Sequence, residues 1–146
     1  MRFKLAKTRT GSYIPAMTTQ PSILLVDDDD QALAGLQMIL HWEGFSVRTA
    51  TSGLEALAAI ESEHPHVVLL DVRMPGLSGI DLASRLRAAP STAAIRIVFY
   101  SAWPAPSVTG DCDAYDSYLC KPSSAAAIVS ALKGEGDQRT ASAAAT

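Results

Sequence analysis

The sequence predicts an α/β fold, a doubly wound parallel sheet of five strands with helices on both faces. Two apolar runs, residues 23–26 and 67–70, have the length and composition of strands that are buried on both faces. Segments with helical spacing of apolar residues alternate with strand-like segments, which is typical of a parallel sheet. Each of the two apolar runs ends at an aspartate, Asp27 or Asp71, and such sheets bind ligands at the ends of their strands.

A helix is predicted between the first two strands. Gly44 fits the end of this helix, and residues 45–50 form the second predicted strand. Before Gly44, apolar residues recur at the spacing of one helix face, namely Leu33, Leu36, Ile39 and Leu40.

The second helix has a clear beginning in the sequence. Ser52 is followed three residues later by Glu55, which is the pattern of a capping box. Pro65 lies beyond the end of this helix, and the third strand, residues 67–70, follows it.

Residues 74–76, Met-Pro-Gly, indicate a turn, and the third helix is predicted to begin at Gly79. Its inward residues are expected to be Ile80, Ala83 and Leu86, and its outward residues Asp81, Arg85 and Arg87. The fourth strand covers residues 95–100, the fifth covers residues 118–120, and the last helix covers residues 123–133.

The connection between the fourth and fifth strands is unusual in composition. Residues 103–110 contain two prolines and a glycine, which leave little room for a regular helix. The sequence therefore predicts that any helix within residues 103–116 is short, displaced or irregular.

Charge and composition divide the chain into three parts. The formal net charge of −3 combines +4 from residues 1–16 with −7 from the rest, and an acidic body argues against binding of nucleic acid by the domain. We expect a flexible basic tail over residues 1–20, one domain over residues 21–134 and a second flexible tail over residues 135–146. Met17 is an alternative start to Met1.

The composition also indicates a location. No apolar stretch approaches the roughly 20 residues of a membrane span, and the two cysteines lack metal-type spacing. We therefore expect a cytoplasmic protein with reduced thiols and no contact with the membrane.

Four consecutive aspartates, residues 27–30, follow the first strand. Aspartate is a preferred helix cap and is favourable at a helix N-terminus, whereas clustered carboxylates repel one another and attract a cation. Taken alone, the run leaves both interpretations open.

The other strand ends favour cation binding. We expect exposed polar residues at one edge of the sheet, namely Asp27, Asp28, Asp71, Ser101 and Lys121. Clustered carboxylates suit Mg²⁺, and an aspartate can act as a nucleophile that forms an acyl phosphate. A lysine and a hydroxyl could contact the phosphoryl oxygens, so these residues together suit phosphoryl transfer to Asp71.

Residues 21–134 resemble the receiver domain of two-component response regulators. The run Ile-Leu-Leu-Val-Asp-Asp-Asp from Ile23 resembles the first strand and acidic pocket of that family. The run His-Val-Val-Leu-Leu-Asp-Val-Arg-Met-Pro-Gly-Leu-Ser-Gly from His66 resembles the segment around its phosphorylated aspartate. The pairs Ser101-Ala102 and Lys121-Pro122 match the switch residue and the lysine with its cis-prone proline.

The resemblance implies a flavodoxin-like strand order 2-1-3-4-5 and a set of roles. Asp71 would be the phosphoacceptor, and Mg²⁺ would be held by Asp27, Asp28, Asp71 and the backbone carbonyl of Arg73. Ser101 and Lys121 would contact the phosphoryl group, and Tyr118 would move with Ser101. Within the acidic run, Asp30 is then the expected helix cap, and Asp29 shapes only the rim of the pocket.

The implied partners are proteins. A sensor histidine kinase or a histidine phosphotransfer protein would supply the phosphoryl group, and a downstream protein target would read the changed surface. The chain would be a stand-alone receiver, a monomer or weak dimer, with output by protein contact or phosphorelay. It would be no enzyme beyond catalysing its own phosphorylation and dephosphorylation.

Arg73 and Trp103 stand two residues beyond the acceptor and the switch serine. We hypothesise that both border the site and restrict attacking water, so that the acyl phosphate lasts longer. The alternative is that both side chains point to solvent or to a partner.

Other classes of protein use parts of the same residue set. A phosphatase of the haloacid-dehalogenase type also uses aspartate, Mg²⁺, a hydroxyl and lysine, but Gln31 stands where it needs Thr or Val. A scaffold that needs no phosphorylation is a further alternative. A nucleotide-binding Rossmann unit fails because no glycine-rich turn follows the first strand.

Overall fold

The computed structural model describes residues 21–103 and 113–134, together with the backbone of two short strands near the N-terminus. These two strands, β1 (Leu5–Lys7) and β2 (Tyr13–Pro15), pair antiparallel within the segment predicted as a basic tail. Whether that tail is flexible stays a prediction, and residues 135–146 lie outside the described part.

The domain alternates strands and helices as predicted. The strands of its sheet are β3 (Ser22–Val26), β4 (Ser46–Ala50), β5 (Val67–Leu70), β6 (Arg96–Ser101) and β7 (Ser117–Cys120). The described helices are α1 (Asp30–Trp42), α2 (Gly53–Ser62), α3 (Gly79–Ala88) and the helix after β7, here α4 (Ala125–Lys133).

The sheet is parallel throughout, in the order β4-β3-β5-β6-β7. Counted within this sheet, the order is the predicted 2-1-3-4-5. Val26 lies beside Ala50 and Leu70, and Leu70 lies beside Phe99. The register therefore brings the carboxyl ends of the strands to one edge, which positions the site.

Apolar side chains fill both faces of the sheet. On one face, Leu24 and Val68 pack with α2 and α3, whereas on the other Ile23 and Leu69 pack with α1 and α4. All four residues of β5 are buried, which explains its continuous apolar sequence. Among the described helices, none is long and apolar enough to cross a membrane.

The segment predicted to hold an irregular helix is described only at its ends. Residues 104–112 lie outside the described part, so this prediction stays open there. The described flanks, residues 102–103 and 113–116, are not helical.

Arg87 does not point outward as expected. Its guanidinium donates hydrogen bonds to the carbonyl oxygens of Ala93, Ile95 and Ala114, and it forms a 2.8 Å ion pair with Asp116. The Asp116 carboxylate also accepts a hydrogen bond from the Ile97 backbone. Arg87 therefore ties α3 to β6 and to the chain that enters β7.

Candidate functional site

Two aspartates are held at the edge of the sheet by backbone hydrogen bonds. The Asp71 N–H donates to the Val26 carbonyl at 2.9 Å, and the Asp27 N–H donates to the Ala50 carbonyl at 3.2 Å. These bonds continue the ladders of β5 and β3 by one residue, so the two side chains emerge where their strands end.

Asp27, Asp28 and Asp71 form one carboxylate cluster. One oxygen from each lies within 4.8 Å of the other two. Asp28 is exposed, Asp71 is half-buried and Asp27 is only 8% exposed. Three converging carboxylate oxygens, one of them open to solvent, fit the hard oxygen ligands and retained waters of Mg²⁺.

Lys121 joins this cluster from the end of β7. Its Nζ lies 2.6 Å from Oδ2 of Asp27 and 3.8 Å from Oδ2 of Asp71. Burial lowers the pKa of Lys121, but the hydrogen bond with Asp27 and the charges of Asp71 and Asp27 raise it more, so the net shift is upward. Lys121 therefore stays charged, and its peptide bond to Pro122 is cis.

The Asp71 carboxylate is the group most altered by this environment. Burial raises its pKa to about 6, against a lowering by the Lys121 charge. The charges of Asp27 and Asp28 raise this pKa further, and a hydrogen bond from the Arg73 backbone N–H lowers it. A carboxylate with such a pKa is a candidate functional group, because structural carboxylates in ion pairs usually shift downward.

The helix cap in the acidic run is Asp29, and the expectation of Asp30 was wrong. Asp29 has extended backbone angles and accepts hydrogen bonds from the N–H groups of Gln31 and Ala32. Asp30 is the first helical residue. The Asp29 N–H also donates to Oδ1 of Asp27 at 3.0 Å, so the cap fixes a cluster carboxylate.

Ser101 is buried, although an exposed serine was expected. Its side chain is inaccessible to solvent, and its Oγ accepts a 3.3 Å hydrogen bond from the Trp103 N–H. The Ser101 carbonyl accepts from the Lys121 N–H at 2.7 Å, which links the end of β6 to Lys121 through the backbone.

Tyr118 and Arg73 both contact Trp103. The Tyr118 hydroxyl donates to the Trp103 carbonyl at 2.6 Å, and the Arg73 guanidinium lies 4.5 Å from the centre of the indole ring. Burial raises the pKa of Tyr118, against a lowering by a hydrogen bond with Ser101. Trp103 is 49% exposed, so the pair lies at the surface beside the site.

Gly79 has a role that the sequence did not reveal. A Cβ at this position would lie 2.1 Å from the Asp71 carbonyl oxygen and 2.9 Å from Cα of Val72. The Gly79 N–H donates to the Val72 carbonyl at 2.9 Å. The start of α3 thus packs directly on the backbone of Asp71, and only the position of Gly79 after a turn could have signalled it.

A cavity of about 330 Å³ opens from the carboxylate cluster. Asp27, Asp71 and Lys121 line one end of it. The remaining wall is mainly apolar and comes from β3, β5, β6, α1 and residues 122–128, which lead into α4.

Comparison with known proteins identifies the family. The family model of the response regulator receiver domain matches residues 23–133. The transcriptional regulatory protein PrrA of Mycobacterium tuberculosis is 35% identical over 115 residues, which are 79% of this chain and 49% of that protein. The phosphate regulon transcriptional regulatory protein PhoB of Rhizobium meliloti is 34% identical, over 77% of this chain and 51% of its own length. The chain thus spans about half the length of the curated relatives it matches.

Solved structures share the fold. A CheY-like response regulator receiver domain from Methylobacillus flagellatus has a TM-score of 0.71 and 28% identity, over 79% of this chain and 98% of that one. The chemotaxis response regulator CheY4 of Vibrio cholerae has a TM-score of 0.72 and 25% identity with the same coverage.

Proposed function

The chain belongs to the response regulator receiver domain family, and we propose that it is a phosphorylation-dependent signalling switch whose phosphoacceptor is Asp71. The observation that carries the proposal is the half-buried Asp71 carboxylate, which lies within 4.8 Å of two further carboxylates and 3.8 Å from the Lys121 ammonium. The phosphoryl donor is a sensor histidine kinase or a histidine phosphotransfer protein. In the transfer, an Asp71 oxygen bonds to phosphorus as the bond from phosphorus to the histidine nitrogen breaks.

Each residue of the cluster has a chemical task in this proposal. Asp27, Asp28, Asp71 and the Arg73 carbonyl would hold Mg²⁺, which supplies positive charge to the phosphoryl oxygens when bound. Lys121 pairs with the phosphoryl group and balances the charge of Asp27 before transfer. Asp29 keeps Asp27 oriented through its backbone N–H.

Ser101 and Tyr118 form the proposed switch. The Ser101 Oγ accepts a hydrogen bond from the Trp103 N–H, and after transfer the Ser101 O–H turns to donate to the phosphoryl group, because a dianion is a strong acceptor. The Trp103 N–H donates to Ser101, and the Trp103 carbonyl accepts from Tyr118. A movement of the Ser101 side chain is therefore transmitted to Tyr118 through the Trp103 backbone, and the reverse also holds.

Arg73 and Trp103 form the rim of the site. We propose that their cation–π pair covers the acyl phosphate and slows its hydrolysis by restricting the approach of water. The contact between the two side chains supports the hypothesis that both border the site.

We propose output by contact with a downstream protein or by relay to another histidine, because the acidic body of the domain disfavours direct contact with nucleic acid. A second candidate is a receiver that controls a transcriptional regulator, because PrrA and PhoB are transcriptional regulatory proteins that are twice as long as the matched region. In both cases the proposed site is the same, the location is cytoplasmic and the described domain itself is a monomer or weak dimer that does not bind nucleic acid.

Phosphorylation by a small donor tests the proposal. The protein is incubated with Mg²⁺ and acetyl phosphate, and intact mass is measured before and after brief alkali treatment. We expect an acid-stable, alkali-labile mass gain of one phosphoryl group that Asp71→Asn abolishes and Asp81→Asn, on the exposed face of α3, retains. Turnover of many equivalents of donor would instead support the phosphatase alternative, and a mass gain that survives in Asp71→Asn would contradict the assignment of the acceptor.

A further inference from the structure

The cavity beside the carboxylate cluster has two chemically different ends. At one end, Asp71 and Lys121 supply the groups that the proposed phosphoryl transfer uses. Farther along the two helices, Leu36 and Ile39 of α1 and Ile128 of α4 line the cavity with apolar side chains. The volume of about 330 Å³ is at the lower end of the range for sites that hold small molecules.

The floor of the cavity is formed by apolar side chains of the sheet. Leu25 and Leu69, the inward residues of two neighbouring strands, lie beneath it and are at most 3% exposed. Ala32, in the first turn of α1, lines the wall between the floor and the charged end. With Lys121, and with Mg²⁺ held by the carboxylates to balance the charge of Asp27 and Asp71, this site fits a molecule with a phosphoryl head and a short apolar body.

We propose that this site accepts its phosphoryl group from acyl phosphates with an apolar chain of about four to six carbons in preference to acetyl phosphate. The proposal rests on the proposed function, in which Asp71 is the acceptor. The phosphoryl head lies at the charged end, and the acyl chain lies along the wall formed by Ala32, Leu36 and Ile39.

The chemistry of the acceptor selects the class of donor. Phosphorylation of Asp71 makes an acyl phosphate, so a donor that is itself an acyl phosphate exchanges one such bond for another of similar transfer potential. An Asp71 oxygen attacks phosphorus, the bond from phosphorus to the acyl oxygen breaks, and the donor leaves as a free carboxylate. No oxidant, reductant or further co-reactant is required.

The expected preference follows from the apolar area of the chain. Each fully buried methylene is worth about 0.8 kcal/mol, a factor of roughly four in affinity. Butyryl phosphate has two more methylenes than acetyl phosphate, but the cavity is open beside Ile39, which is 43% exposed. We therefore expect a half-saturating concentration roughly 3- to 10-fold lower for butyryl phosphate than for acetyl phosphate.

The experiment measures phosphorylation of Asp71 by intact mass over a concentration series of acetyl, butyryl and hexanoyl phosphate at fixed Mg²⁺. The test variant is Ala32→Leu, which fills the cavity from an exposed helical position. Ala34→Leu is its matched control, because Ala34 is also an exposed alanine of α1 but does not line the cavity. Thermal unfolding of both variants verifies that they are folded.

In the wild type and in Ala34→Leu, we expect lower half-saturating concentrations for butyryl and hexanoyl phosphate than for acetyl phosphate. In Ala32→Leu, the ratio of the acetyl phosphate value to each longer donor's value should approach one. Equal half-saturating concentrations for all three donors in the wild type would overturn the inference and leave the proposed function intact. A preference that persists in Ala32→Leu would also overturn it, because the chain would then lie elsewhere. Failure of every donor to modify Asp71 would overturn both the inference and the proposed function.

Discussion

Asp71 is ionised only at a cost to the folded state. Burial and the charges of Asp27 and Asp28 raise its pKa from 3.8 to about 6, in spite of Lys121. Because the folded-state pKa is the higher one, the folded protein binds the proton more tightly than the unfolded chain does. The contribution of Asp71 to stability is therefore fully present below pH 3.8 and is lost as the pH rises through about 6.

The raised pKa of Asp71 predicts how the stability of Asp71→Asn depends on pH. An amide cannot ionise, so the variant should be more stable than the wild type at pH 8 by about 1–2 kcal/mol in EDTA. This gain is smaller than the ~3 kcal/mol that corresponds to a shift of about two pKa units, because solvent screens the charges at this half-buried site. The gain should fall to about half at pH 5 and should approach zero only below pH 3.8. The measurement is urea unfolding of both proteins at each pH.

Asp81→Asn is the control for this comparison, since Asp81 is exposed on α3 and lies outside the cluster. It should show no comparable change between pH 5 and pH 8. A gain for Asp71→Asn that is equal at both pH values would show that the amide stabilises by packing, and would contradict the electrostatic explanation.

The contact of Arg73 with Trp103 predicts slower loss of the phosphoryl group in the wild type than in truncated variants. An exposed cation–π pair is worth about 0.5–1 kcal/mol, so Arg73→Ala and Trp103→Ala should each dephosphorylate roughly 2- to 5-fold faster after removal of the donor. Trp103→Phe retains an aromatic ring and should be intermediate. The measurement is the decay of the phosphorylated mass with time.

Arg85→Ala, which removes an exposed arginine of α3, is the control for the loss of positive charge. If Arg73→Ala and Arg85→Ala change the rate equally, general electrostatics explains the effect. If neither Arg73→Ala nor Trp103→Ala dephosphorylates faster than the wild type, the proposed role of the rim is wrong.

At the scale of elements, the start of α3 packs against the backbone of Asp71, the proposed acceptor. The 2.1 Å approach of a Cβ at Gly79 to the Asp71 carbonyl oxygen would force the helix or the strand end to move. Gly79→Ala should therefore lower the free energy of unfolding by about 2–4 kcal/mol, at the upper end of effects of single substitutions. Phosphorylation should be slower as well, because Asp71 shifts with its backbone.

Gly35→Ala provides the matched comparison. Gly35 lies within α1, and a Cβ there meets nothing within 4 Å. Alanine in the helix interior should increase stability by roughly 0.5–1 kcal/mol. Urea unfolding measures both variants, and a neutral Gly79→Ala would show that the strand end adapts without cost.

At the scale of elements, features that depend on local spacing were predictable, and features that depend on distant contacts were not. Strands and helices were predictable because their apolar spacing is local, and the cap of α2 at Ser52 was correct because its hydrogen bond to Glu55 spans three residues. The cap of α1 was misplaced by one residue, since four adjacent aspartates offer the same cap chemistry and only the backbone angles distinguish them. The inward turn of Arg87 could not be predicted, because its carbonyl acceptor at Ala114 lies 27 residues away.

At the scale of the whole molecule, the site exists only when the sheet is assembled. Lys121 pairs with Asp27 across 94 residues, from opposite sides of the central strand β5. The sequence identified these residues because parallel strands end at one edge, a rule that holds for the fold as a whole. The same rule could not show that Ser101 is buried or that an apolar cavity adjoins the cluster, because both depend on how α1 and the segment after β6 pack.

The folded protein holds three carboxylates close together, and a bound cation should reduce the repulsion between them. Mg²⁺ that binds the folded state but not the unfolded chain stabilises by about 2.7 kcal/mol when its concentration is 100 times the Kd. The free energy of unfolding should therefore rise with the logarithm of Mg²⁺ concentration. Thermal or urea unfolding in a Mg²⁺ series, compared with KCl of equal ionic strength, measures this effect.

Two variants of the acidic run separate cation binding from general charge. Asp28→Asn removes an exposed member of the cluster, whereas Asp30→Asn removes an equal charge two residues away that lies outside the cluster. Stabilisation by Mg²⁺ should require a higher concentration in Asp28→Asn and be unchanged in Asp30→Asn. Equal loss in both variants, or equal stabilisation by KCl, would mean that the run attracts cations only through its net charge, and the proposed division of the four aspartates between a metal site and a helix terminus would be wrong.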